Sequence, residues 1–148
     1  MKNEQVGLKG TLVLTLQKPS GEVQTIRKDN IIVNGGFDFI CDAIATSGTR
    51  PAVMGYIGVG TGTAAPDATD TALGTQLLRK AATYAHTTGT KVFTLSSTFA
   101  TGEATGAITE AGVFNAASSG TMLDRVTFSV INKGADDTLT AQFQFTLS

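Results

Sequence analysis

The sequence predicts a mainly β protein: a jelly-roll-like antiparallel β-sandwich of about eight strands with one short helix. Three observations predict it. Apolar and polar side chains alternate over residues 8–17 and again over 139–147, the period-two mark of a strand with one buried face. About one residue in six is Thr, and 17 Gly stand beside only three Pro, a balance that favours short strands and tight turns. Only residues 37–44 carry apolar side chains at clear helical spacing. With 148 residues, 41% of them hydrophobic, the chain can bury one core but not two. Residues 1–148 are therefore read as a single β-sandwich domain, with the polar residues 1–6 as a flexible N-terminal arm.

Taken in order, Leu8, Gly10, Leu12, Leu14 and Leu16 fall on one face of the first strand, with Lys9, Thr11, Thr15 and Gln17 opposite. Lys18-Pro19-Ser20-Gly21 is a turn, since Pro presets φ and Gly accepts positive φ. A second strand over Glu22–Arg27 completes a hairpin. Past Ile31-Ile32-Val33 the period changes. Phe37, Ile40, Cys41 and Ile44 lie at i, i+3, i+4 and i+7, one stripe of a helix. Asn34 is its expected cap, Asp38 suits its positive end, and Ser47-Gly48 is the expected stop. Val53–Val59 reads as a strand, followed by a long polar connection over Gly60–Thr75. Leu77–His86 is ambiguous: Leu77, Leu78 and the Ala pairs permit helix, but the local context favours strand. Val92–Phe99, Ala107–Asn115 and Thr121–Ile131 read as strands. The last strand is the clearest, with Leu139, Ala141, Phe143, Phe145 and Leu147 inward.

Composition narrows the function. Eleven Lys+Arg against 12 Asp+Glu give a net charge of −1, and the basic residues are scattered. Nucleic-acid binders need a basic excess to displace counterions, so no nucleic-acid partner is expected. Apolar runs such as Leu12-Val13-Leu14 break after three residues, so no membrane span is expected, nor is a signal peptide. Gly58-Val59-Gly60-Thr61-Gly62-Thr63 lacks both the third glycine of a dinucleotide loop and the Gly-Lys-Ser/Thr of a P-loop; it reads as a tight backbone turn. One Cys and one His cannot build a zinc site, and no metal or other cofactor is expected. Cys41, on the helix stripe, reads as a buried structural thiol, and His86 as a surface strand residue. The carboxylate pairs Asp38/Asp42, Asp67/Asp70, Glu103/Glu110 and Asp136/Asp137 have no Trp to platform a sugar. Asp136-Asp137 reads as turn chemistry, while Asp67 and Asp70 are placed to cap a short helix inside the loop. No catalytic constellation results, and the chain is not expected to be an enzyme.

Two stretches carry a resemblance. One is Tyr56-Ile57-Gly58-Val59-Gly60-Thr61-Gly62-Thr63-Ala64-Ala65-Pro66, with Asp70-Thr71-Ala72-Leu73 and Arg79. The other is Ile108-Thr109-Glu110-Ala111-Gly112-Val113-Phe114-Asn115-Ala116, with Gly120-Thr121-Met122-Leu123-Asp124-Arg125-Val126-Thr127-Phe128. Together with the opening hairpin and Asn30-Ile31-Ile32-Val33-Asn34-Gly35-Gly36, they resemble small structural proteins of tailed bacteriophages. A weaker likeness, to the N-terminal modules of phage tail-collar fibres, covers the same two blocks. The resemblance implies a virion component made in the host cytoplasm. Its first form is a capsid decoration or cement protein that binds the major capsid protein and copies of itself. The alternative is a tail, baseplate or fibre adaptor that binds tail or baseplate proteins. Neither family brings catalytic residues. The expected partner contacts are the arm, through Lys2, Asn3, Glu4 and Gln5, and the long loop, through Thr63, Asp67 and Asp70.

Overall fold

A computed structural model describes residues 7–148; the expected arm, with Lys2, Asn3, Glu4 and Gln5, lies outside the described residues. The chain runs β1 (Leu8–Gln17), β2 (Val23–Asp29), β3 (Ile31–Ile32), α1 (Asn34–Ala45), β4 (Tyr56–Gly60), β5 (Gln76–Ala81), β6 (Thr83–His86), β7 (Val92–Phe99), β8 (Gly106–Phe114), β9 (Met122–Lys133) and β10 (Thr138–Leu147). Two antiparallel five-stranded sheets, β2-β1-β10-β7-β6 and β3-β9-β8-β4-β5, face one another as a β-sandwich. The chain deals its hairpins alternately to the two sheets, and the first and last long strands lie side by side. Among the described residues there are ten strands against the eight or so expected. The ambiguous residues 77–86 are strand throughout except at Ala82, where the chain passes from β5 in one sheet to β6 in the other.

The alternation read in the sequence sets the register. Leu12, Leu14 and Leu16 sit opposite Phe143, Ala141 and Leu139, and all six are buried between the sheets. Gly10 faces Phe145 across the same pair, and Phe145 stacks on Phe93 with ring centroids 5.0 Å apart. The facing sheet contributes Ile57, Val59, Ile108, Ala111, Val113, Val126 and Ile131 to the same core. At the first turn, the Gly21 N–H donates to Lys18 O at 2.9 Å, and Gly21 has φ of 91°.

Three helix expectations are corrected. Val33, not Asn34, is the N-cap, and its side chain can make no capping bond. The Asn34 N–H is instead taken by the Ala68 carbonyl of the long loop, at 2.8 Å. Asp38 falls beyond the first turn. Cys41 is exposed rather than buried, and Phe37 and Ile44 of the same stripe are exposed too. The cause is Gly36, the helix's one buried residue. A Cβ there would stand 2.3 Å from the Leu123 carbonyl oxygen, so the helix backbone is drawn against β9 at its smallest residue. Phe37 and Ile44 are thereby left in solvent, while Ile40, one turn on from Gly36, packs against the core.

Candidate functional site

The outer face of the second sheet is not bare. The connection between β4 and β5, residues 61–75, folds back over it and buries Leu73 with Val33, Phe114 and Met122. Backbone can come that close because the strands below carry glycine. A Cβ on Gly58 would meet Phe114 and Leu73, one on Gly60 would stand 2.2 Å from the Thr75 carbonyl oxygen, and one on Gly112 would meet Asp124 O and Leu73. The glycine run 58–62 is therefore not a tight turn: Gly58 and Gly60 are strand residues, and the missing side chains leave room for the loop.

A buried ion cluster fixes that loop. Glu110 and Arg125 sit on neighbouring strands β8 and β9, with Arg125 directly opposite Gly112. Both are buried. The Arg125 Nε and Nη2 donate to Glu110 Oε2 at 3.0 and 2.9 Å, and Nη1 donates to Asp70 Oδ2 at 2.9 Å. Glu110 also accepts from three loop amides: Gly62 (2.9 Å), Gly74 (2.8 Å) and Thr75 (2.7 Å). Thr109 Oγ1 donates to Gly62 O at 2.8 Å. Burial drives the Glu110 carboxyl upward, but the Thr75 and Gly74 amides, Arg125 and the Gly62 amide outweigh it and hold the group below its ordinary 4.5. One carboxylate thus ties both ends of the loop to the sheet, and the guanidinium ties its middle through Asp70.

Of the expected contact residues in this loop, the structure places Thr63 and Asp67 in solvent and turns Asp70 inward on Arg125. No helix forms between Asp67 and Asp70. They close a single turn, in which the Asp70 N–H donates to Asp67 O and the Asp67 N–H to Asp70 Oδ2. The Asp67 carboxylate accepts from the hydroxyl and amide of Thr69, which hold it below its ordinary range. Glu103, paired with Glu110 in the sequence reading, binds Lys80 instead, at 2.6 Å. Asp137 accepts from the Gly134 N–H at 2.8 Å, the turn chemistry expected there. His86 lies exposed on β6.

Glu110 and Arg125 were missed as a pair by the sequence reading. The available signal was three charges inside two consecutive apolar strands, Glu110 in Ala107–Phe114 and Asp124 and Arg125 in Met122–Phe128. Charges in such places must be partnered. Chemically, the Glu110 oxygens are fully engaged and Arg125 spends its donors within the chain. The cluster is thus built to hold a loop in a fixed posture, with Thr63 and Asp67 on its outer surface.

Asp124 is a second buried carboxyl. Its Oδ1 accepts from the Val113 N–H at 3.0 Å, and its Oδ2 has no partner. Burial pushes its pKa well above 3.8, the one amide donor counteracting only in part.

No family model, no curated protein and no solved structure matches the chain.

Proposed function

We propose that the chain is a structural component of a tailed-phage virion, which binds the assembled capsid as a decoration or cement protein. It would stabilise the shell through non-covalent contacts with the major capsid protein and with copies of itself. The observation that carries this reading is where the residues of the phage-like pattern meet. Gly60, Gly62, Asp70, Glu110, Gly112 and Arg125 all belong to it, and all six converge on the loop over residues 61–75. The shared pattern thus describes how one surface loop is presented, which is the property a binding module needs. A preorganised loop loses little conformational freedom when it docks. Many weak contacts on a repeating shell add up by avidity, and a protein that binds the shell but not free subunits stabilises the shell by mass action.

The test is to heat purified particles with and without this protein. The expected result is rupture at a higher temperature when the protein is present, and a loss of that gain with Thr63→Arg, which changes an exposed side chain and no buried one. An unchanged rupture temperature overturns the shell reading. Copy number then decides for the tail: hundreds per particle belong to a shell, whereas about three to twelve belong to a closed tail or baseplate ring.

A further inference from the structure

Where β1 begins and β10 ends, the described residues leave an apolar groove open between the sheets. Leu8 and Leu147, paired across β1 and β10, form one wall of a groove with Tyr84 and Phe93. Ile40 of α1 and Val53, just before β4, form the other. The groove has a volume of about 530 Å³, and among the described residues none in its lining is charged.

Beside it stands a ridge. Phe37 and Ile44 lie three residues before and four after Ile40, so they continue its stripe along α1 into solvent. Asp38 and Asp42 are each two residues from Ile40, roughly 200° around the helix, and so stand on its far side. The exposed fractions are 50% for Phe37, 72% for Ile44, 79% for Val53, 63% for Tyr84 and 45% for Leu147. At about 200 Å² per large side chain, these fractions leave on the order of 500 Å² of largely apolar surface in water. That matches the largest patches found on ordinary monomers, which are commonly functional.

We infer that this face is an isologous interface with a second copy of the chain, in which the α1 ridge of each copy enters the groove of the other. Three features favour a second copy over a different protein. Two such faces brought together withdraw about 1,000 Å², the size at which specific interfaces begin. A ridge lying beside a groove is self-complementary about a two-fold axis. Among the described residues the centre of the face is uncharged, as interfaces between identical chains tend to be. The inference rests on the proposed virion role only for where the dimer would work. If heated particles show no gain while the dimer persists, the shell reading falls and the interface stands.

Sedimentation equilibrium of the full chain, over roughly 1–200 µM to bracket micromolar affinity, tests it. The expected result is a reversible dimer whose dissociation constant rises about tenfold or more with Ile44→Asp or Val53→Asp. Both side chains are mostly exposed, so each variant keeps its far-ultraviolet circular dichroism. Val130→Asp, on β9 and exposed but outside the groove, leaves the dimer intact. A monomer throughout the range overturns the inference and leaves a different partner as the occupant. A dimer indifferent to both substitutions, or a ring of three or more copies, also overturns it.

Discussion

Arg125 is buried, and its two carboxylate partners, Glu110 on β8 and Asp70 in the loop, come from different elements. Replacing one member of such a cluster leaves the others charged and unpaired, which costs about 3–5 kcal/mol; replacing both with apolar residues costs far less. Arg125→Met is therefore expected to lower stability by that amount and to open residues 61–75 to protease. The double variant Glu110→Leu/Arg125→Met recovers most of the stability in a denaturant titration, and a deficit equal to the sum of the single changes would refute the coupling. Glu110 and Asp124 also act oppositely on pH dependence. Glu110 is held below 4.5 in the folded chain, so its contribution is present above that pH and is lost as pH falls through the folded value. Asp124 is raised, so its contribution is complete below 3.8 and is lost as pH rises through the raised value. Asp124→Asn keeps an oxygen for the Val113 amide and cannot ionise. It is expected to flatten the fall in stability above pH 3.8 and to leave the acid-side loss due to Glu110 unchanged, as followed by urea midpoints against pH.

Among the elements, the long strands β1 and β10 were legible because each has one face in the core and one in solvent, which is what period two reports. β6 was not, because all four of its side chains are exposed and nothing in it alternates. The helix was legible as a helix, but its orientation was not. A 3.6-residue stripe points to the core only if large side chains make the contact, and here the contact is Gly36 against the Leu123 carbonyl. The glycine run 58–62 misled for the same reason: what matters is the loop backbone lying on it, and sequence spacing does not report a neighbour contributed by a distant segment. Gly36→Ala is accordingly expected to cost about 1–3 kcal/mol by overpacking, although alanine is the better helix former. Cys41→Ser is expected to change stability by less than about 0.5 kcal/mol, as at other exposed sites. The Cys41 thiol should react with a disulfide reagent in the native protein at the rate of an exposed cysteine, and protection until unfolding would show that the helix sits otherwise.

At the scale of the whole molecule, β10 is the strand on which the sandwich closes. It is the third of five strands in its sheet, with β1–β2 on one side and β7–β6 on the other, so without it the sheet falls into two hairpins, neither of which is stable alone. Its pairing with β1 also joins residues near the two ends of the described chain, a high contact order that makes folding slow. Phe143 sits at the middle of this strand, fully buried, opposite Leu12 on one neighbour and Leu95 on the other. Phe143→Asp would remove about 3–5 kcal/mol of packing and place a carboxyl where no donor is free to meet it, a further cost of several kcal/mol whether it ionises or stays protonated. Together these reach the whole stability of an ordinary domain, about 5–15 kcal/mol. The variant is expected to be unfolded at 25 °C by circular dichroism, whereas Phe143→Leu, which loses volume but no apolar character, still melts cooperatively at a lower temperature. A soluble, cooperatively melting Phe143→Asp would mean that the odd-numbered residues of β10 do not face the core, and the two-sheet arrangement that orients both the loop and the apolar groove would fall with them.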